Sequence, residues 1–236
     1  MKIYDLHSHF LPGMDDGCKT VQEAVQVLES SYRQGVTAMF ATPHYYPVET
    51  VDTFLQRRAE AYQLLCEQMG QKELPAICLG AEVAFRPGIS YEEKLEQLCL
   101  GNSRYMLLEL PFSQWSKEVL REVCNISSTW GITPILAHIE RYIPIQSAVM
   151  LQQLLEMDVL VQMNAGYLLH FMDRRKGCRL LKAGTVQLLG SDCHNMTTRP
   201  QNINAALKYL EKRGMHSVVE RVAQLSQHIF QAANEK

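Results

Sequence analysis

Hydrophobic positions along this chain follow two alternating rhythms. Short β-branched or apolar runs at about 2–6, 36–41, 76–79, 105–110, 132–137, 159–163 and 186–190 are separated by longer stretches with the period of an amphipathic helix. Between the first two runs, Thr20 and Glu23 have capping-box spacing, Val21, Ala24, Val25 and Leu28 mark an apolar face, and Gly35 stops the helix. The same grammar places Leu120, Val123, Cys124 and Trp130 before Gly131, and Ile203, Ala206, Leu207 and Leu210 before Gly214. Val218, Val222, Leu225 and Ile229 predict a closing helix, whereas 85–100 has no clear pattern. Alternating strands and helices imply an α/β fold with a parallel sheet and right-handed crossovers, and seven strands suit a barrel-like closure better than a small open sheet. No repeat, low-complexity tract or linker interrupts the pattern, so residues 1–236 read as one domain.

Composition narrows the function classes. With 47% hydrophobic residues the chain can bury a sizeable core, and its formal charge of -2 offers no basic field for nucleic acid. The seven cysteines are scattered, odd in number and form no C-x-x-C pair, which fits a reducing compartment. No leader-like segment opens the chain, and no apolar run approaches the roughly 18 residues that cross a bilayer. The expectation is a cytoplasmic protein without membrane insertion.

The chemistry emerges when polar residues are laid over the strand runs. Run one leads to His7 and His9, run two to His44, run three to Glu82, run four to Glu109, run five to His138, and run seven to Asp192 and His194. In a parallel barrel the carboxyl ends of strands share one face, where active sites are built. One such histidine is ordinarily a hydrogen-bonding residue of no special role. Here five of the eight histidines occupy these positions, while His170, His216 and His228 fall in predicted helices outside the pattern. A mixed His/Asp/Glu set without thiolates suits zinc, manganese or iron, and so many candidates exceed the needs of one ion but suffice for two or three.

The stretches "DLHSHFLPGMDDG", "ATPHYYP", "LGAEV", "LLELPF", "AHIERY" and "GSDCHNMTTRP" resemble the polymerase-and-histidinol-phosphatase (PHP) superfamily. Within it they are similar to the bacterial manganese-dependent protein tyrosine phosphatases of capsular and exopolysaccharide synthesis. The resemblance implies a distorted seven-stranded βα barrel holding three metals. It also implies a ligand set: His7, His9, Glu82 and Asp192 for one ion; Glu82, Glu109 and His138 for a second; Asp16, His44 and His194 for a third, with Asp15 the alternative to Asp16. Two or three divalent ions are expected, manganese first, with iron, zinc or magnesium as alternatives. Arg141 and Arg199 match the phosphate-gripping arginines, a role that suits the planar guanidinium fork. His44 or Asp16 are the candidates to donate a proton, and Asn164 to support the ligands. The implied partner is a phosphotyrosine protein, expected to be the tail of a bacterial tyrosine kinase.

Three rivals stay in view. Cys193 and Arg199 have the C-x5-R spacing of cysteine-dependent phosphatases, although "HNMTT" between them lacks the glycine that lets amides converge on an anion. A PHP-type histidinol phosphatase would act on an alkyl phosphate, and a metal-binding module would turn over nothing. Tyr45, Tyr46 and Phe112 are expected near the entrance, as pocket walls or as packing.

Overall fold

The computed structural model describes residues 2–235; Met1 and Lys236, the ends of the predicted unit, lie outside the described residues. Its strands all pair in parallel. One sheet has the order β1 (Ile3–Asp5), β2 (Val36–Ala41), β4 (Ala76–Leu79). The other runs β3 (His44–Tyr45), β5 (Glu82–Ala84), β6 (Tyr105–Glu109), β7 (Thr133–Leu136), β8 (Leu160–Asn164), β9 (Leu188–Gly190).

The described residues thus hold nine strands rather than seven. The second and third predicted runs are each followed by a separate short strand, because Pro43 has no N–H for the ladder and the chain bends at Gly80 and Ala81. Beyond those breaks His44 pairs with Glu82 in the second sheet. Three hydrogen bonds cross the seam, from Thr42 N to Ser8 O (2.8 Å), Gly80 N to Ala41 O (2.9 Å) and Glu82 N to Pro43 O (3.1 Å). At the far side, a single bridge between Ser8 and Cys193 joins the segments that follow β1 and β9. Bonds from His9 N to Cys193 O (2.8 Å) and Asp192 N to His7 O (2.9 Å) flank it. The sheet therefore curls until its first and last strands meet.

Eight helices complete the described fold: α1 (Val21–Arg33), α2 (Val51–Met69), α3 (Lys117–Trp130), α4 (Ala148–Leu155), α5 (Ala165–Leu169), α6 (Arg174–Ala183), α7 (Ile203–Lys212) and α8 (His216–Asn234). The capping box of α1 is present: Thr20 Oγ1 accepts from Glu23 N at 3.2 Å and Glu23 Oε2 accepts from Thr20 N at 3.3 Å. On α3 the buried stripe is Val119, Leu120, Val123 and Ile126, while Cys124 is exposed, against expectation, since it lies one position off that stripe. His170 is not helical either; it caps α5 at the turn into α6. The indistinct segment 85–100 forms two 3-10 turns, Ile89–Tyr91 and Leu95–Leu98.

Two apolar layers hold the sheet. The larger lies between strands and helices. The smaller fills the inside of the curl, where Leu6, Phe40, Leu107, Ile135 and Leu188 meet Ile229 and Ala233 of α8. Phe230 of α8 packs its ring against Tyr4 and Phe40, at 5.3 and 5.8 Å between centroids. Side chains alternate along a strand, so the inner face changes from apolar to polar in steps of two: Leu107 gives way to Glu109, and Leu160 to Gln162 and Asn164. An apolar plug at one end and a polar cup at the other follow from that alternation.

Candidate metal centre

The polar cup holds every predicted ligand. His7, Ser8 and His9 continue β1, His44 opens β3, Glu82 opens β5, Glu109 ends β6, and His138 follows β7. Asp192 and His194 follow β9, and Asp16 comes from the loop between β1 and α1. His138 (φ 34°) and Asp192 (φ 54°) are the two non-glycine residues with positive φ among those described. Left-handed backbone costs roughly 1–3 kcal/mol at such positions, and here it turns both side chains back toward the cup just beyond a strand end. Glycine is needed where the backbone crowds His7 and His9. A Cβ on Gly17 would lie 1.9 Å from His9 O, and one on Gly190 would lie 2.7 Å from His7 Cβ.

Glu82 is the hub. Its Oε2 lies 3.1 Å from His7 Nε2, 3.1 Å from His9 Nε2 and 3.2 Å from His44 Nδ1. Its Oε1 lies 3.0 Å from His138 Nε2, which is itself 3.2 Å from Glu109 Oε1. Asp192 Oδ1 sits 3.4 and 3.5 Å from the Nε2 atoms of His7 and His9. His194 Nε2 is 3.2 Å, and His44 Nε2 3.8 Å, from Asp16 Oδ1. Burial works against the Glu82 charge, but the surrounding imidazoles hold its carboxyl well below the usual range. His194 is lowered too, to about 4, by burial and by the neighbouring cations His9 and Arg199, which favours its neutral form.

Donors packed this way fit metal ions. Three overlapping groups place their ligand atoms within 4.8 Å of one another: His9, Asp16, His44 and His194; His7, His9 and Glu82; His44, Glu82 and Glu109. Glu82, His9 and His44 are each shared between two groups, and of the three Glu82, with two carboxylate oxygens, is suited to bridge ions. His138 Nδ1, His44 Nδ1 and His194 Nε2 are buried without a hydrogen-bond partner among the described residues. Buried ring nitrogens are ordinarily satisfied, and two of these three face carboxylates in the cup.

A second layer fixes the donors. Asp15 Oδ2 accepts from His9 Nδ1 at 2.7 Å and from His44 N at 2.9 Å, while its Oδ1 accepts from Gly17 N at 2.9 Å. With the Nδ1 proton engaged, His9 Nε2 points into the cup. The two neighbouring aspartates therefore differ in kind: Asp15 is buried behind His9, whereas Asp16 is 64% exposed and faces His194. Gln162 Oε1 accepts from His138 N at 2.7 Å and lies 3.3 Å from His7 Nδ1. Asn164 Nδ2 donates to Asp192 Oδ2 at 2.7 Å, and its own amide donates to Glu140, a carboxyl that burial raises to about 7. Asp5 lies beneath, fully buried, accepting from Ser191 Oγ and Gln201 Nε2.

Both predicted arginines reach the rim. Arg141 Nη2 and Arg199 Nη2 donate to Asp192 Oδ2 at 2.8 and 2.6 Å, and Arg199 Nη1 lies 3.6 Å from Asp16 Oδ2. Their side chains are 38% and 35% exposed, so their outer N–H groups can still take an anion. Cys193 is a poor nucleophile by comparison: it is fully buried, and desolvation together with Asp5 raises its thiol far above the usual value. Of the aromatics, Tyr45 is core, packed on Phe54. Tyr46 and Phe112 are exposed, stacking on His44 at 5.0 Å and on His138 at 5.6 Å.

Known proteins share this architecture. A solved structure from work on YwqE of Bacillus subtilis and CpsB of Streptococcus pneumoniae, metal-dependent tyrosine phosphatases, matches with a TM-score of 0.85 over 98% of this chain and 95% of that one, at 23% identity. In sequence, tyrosine-protein phosphatase CpsB of Streptococcus pneumoniae is 30% identical over 229 residues, covering 89% of this chain and 90% of its own. Tyrosine-protein phosphatase YwqE of Bacillus subtilis is 28% identical over 220 residues, covering 89% of this chain and 84% of its own. The model of the CpsB/CapC family of capsular polysaccharide synthesis matches residues 3–229, and this chain belongs to that family.

Proposed function

We propose that this protein is a metal-dependent phosphoric monoester hydrolase that removes phosphate from tyrosine in a protein substrate. The observation that carries the reading is the pairing of a nine-residue cup (His7, His9, Asp16, His44, Glu82, Glu109, His138, Asp192, His194) with two half-exposed arginines on one of its carboxylates. Divalent ions held there, manganese first, would supply Lewis acidity to a water and to the phosphoryl oxygens. The protein's own groups do the rest. Arg141 and Arg199 grip the phosphoryl group and share the charge that grows on it. Asp192, held by Asn164, keeps both forks aimed at the same place. Asp15 keeps His9 in the tautomer that leaves Nε2 free.

Two features favour an aryl ester over an alkyl one. Tyr46 and Phe112 present exposed rings on either side of the ligand histidines, a setting for a phenyl group. A departing phenol, with a pKa of about 10, also demands less protonation than an alcohol, so the ions and the two arginines suffice without a dedicated strong acid. Membership in a family of capsular polysaccharide synthesis, and relatives named tyrosine-protein phosphatases, support a bacterial tyrosine kinase tail as the partner. We read the two sheets as one distorted barrel of a single cytoplasmic domain; the seam bonds and the Ser8–Cys193 bridge support the barrel, and no helix among the described residues is long and apolar enough to cross a membrane.

The test is turnover of a phosphotyrosine peptide and of histidinol phosphate after chelation, then after adding manganese, iron, zinc or magnesium separately. Metal-restored hydrolysis of the peptide is expected. Full activity after chelation, or preference for histidinol phosphate, overturns the reading.

A further inference from the structure

Beside the metal cup the surface changes character. A cleft of about 410 Å³ extends from Arg141 and Arg199 past Tyr167 to His170. A second, of about 700 Å³, begins at Met172 and Asp173 and is walled by Arg175, Lys176, Arg179, Lys182 and Arg213. The pair His170 and Asp173, 2.5 Å apart, forms the divide, with His170 in the first cleft and Asp173 in the second.

The charge of the second cleft is unusual for this molecule. The whole chain has a formal charge of -2, yet α6 and its N-cap concentrate Arg174, Arg175, Lys176, Arg179 and Lys182 against Asp173 alone. That aspartate is the one acid in the cleft wall and is already taken by His170. A solvated helix face usually mixes charges of both signs at i, i+4 spacing; this one does not. The turn leading into it exposes apolar side chains, Leu169 41%, Phe171 70% and Met172 77%, with the Arg174 guanidinium 4.5 Å over the Phe171 ring. Exposed aromatic and methionine side chains beside arginines have the composition of a recognition surface.

We infer that the α5–α6 turn and the basic face of α6 form a docking track for an acidic segment flanking the phosphotyrosine of the protein substrate. The inference rests on the proposed phosphatase reading. It commits to an acidic peptide because the face is cationic, is adjacent to the phosphate-gripping arginines, and shares a dividing residue pair with their cleft. Such a track acts on encounter and binding; it does not touch the reacting atoms.

The test uses the full, metal-loaded chain and three substrates: a phosphotyrosine peptide flanked by Asp and Glu, the same peptide flanked by Ser and Ala, and 4-nitrophenyl phosphate. In the wild type, KM is expected to be about 10-fold lower for the acidic peptide than for the neutral one, an advantage that salt erases. The triple variant Arg175→Gln/Lys176→Gln/Arg179→Gln is expected to lose that advantage with kcat kept. Its turnover of 4-nitrophenyl phosphate should be unchanged, which also checks its folding, and Arg175→Lys/Arg179→Lys should behave as wild type. Equal KM values for the two peptides in the wild type overturn the inference. So does a triple variant whose peptide kinetics are intact while binding to phosphatidylserine vesicles, or self-association in sedimentation, is lost. Anisotropy of a labelled, unphosphorylated acidic peptide tests the track without catalysis. If that peptide binds and no aryl phosphate is hydrolysed, the phosphatase reading fails and the track stands.

Discussion

The Nε2 atoms of His7 and His9 lie 3.0 Å apart, and both lie 3.1 Å from the same oxygen of Glu82. Two imidazole nitrogens that close together are reconciled by a shared proton or by a cation. Burial disfavours charge on His9, but hydrogen bonds and charge from Asp15 and Glu82 outweigh it and raise the ring to about 10. The same contest, with Glu109 and Glu82 as partners, raises His138 to about 9.

Both shifts favour the protonated rings in metal-free protein, and ions that need neutral imidazole must displace those protons. Metal loading is expected to release about two protons and to tighten as pH rises from 6 to 8. Calorimetry in buffers of different ionisation heat reads the number directly; no proton release would contradict the arrangement.

Asp15 and Asp16, adjacent in sequence, should fail differently. Asp15→Ala removes the acceptor behind His9, and loss of such a support ordinarily weakens metal affinity by about 10- to 100-fold. Asp16→Ala removes a member of the group formed with His9, His44 and His194, so one ion per chain is expected to be lost outright. Metal titration followed by elemental analysis separates the two outcomes.

Arg141 and Arg199 should cost catalysis while sparing the ions. Truncating either to Ala removes one charge-assisted donor to the phosphoryl group, a loss of about 10²–10³ in kcat/KM by analogy with other transition-state donors. Lysine should rescue only part of it, having no planar fork. Metal content within error of wild type, measured alongside, is part of the expectation.

Phe112→Ala and Tyr46→Ala address the aryl preference. Each removes a ring contact worth about 1 kcal/mol, so kcat/KM for a phosphotyrosine peptide should fall about fivefold while that for a phosphoserine peptide barely moves. Equal losses on both substrates would assign the rings to packing on His138 and His44 alone.

Cys193→Ala should keep kcat, since the thiol is fully buried and held protonated. A modest drop in Tm is expected from the lost sulfur packing. Abolished turnover in a folded variant would restore the thiol mechanism.

Much of this could be read from the chain before folding because strand ends and ligand residues coincide in sequence. "ATPH" and "LGAE" even carry the reason for the strand count: Pro43 and Gly80 break the ladders after β2 and β4. What pattern reading misses is set by distance along the chain. Asp5 looks like an ordinary strand residue, and a buried carboxylate there is tolerable only with partners; those partners, Ser191 and Gln201, are 186 and 196 residues away. Gln162 is equally silent in "LVQMN", although its step-of-two relation to Asn164 marks a shared face. The different duties of Asp15 and Asp16 depend on a loop register fixed by Gly17, whose hydrogen takes the place where any larger group would strike His9 O.

The contact between Ser8 and Cys193 has a consequence for assembly. It sets residues from the two far ends of the fold around the same cup, so no partial product of folding can hold the proposed ions. Cation capture becomes a clasp fastened after everything else is in position, and ion release should announce the earliest loosening of the ring, ahead of any loss of helix.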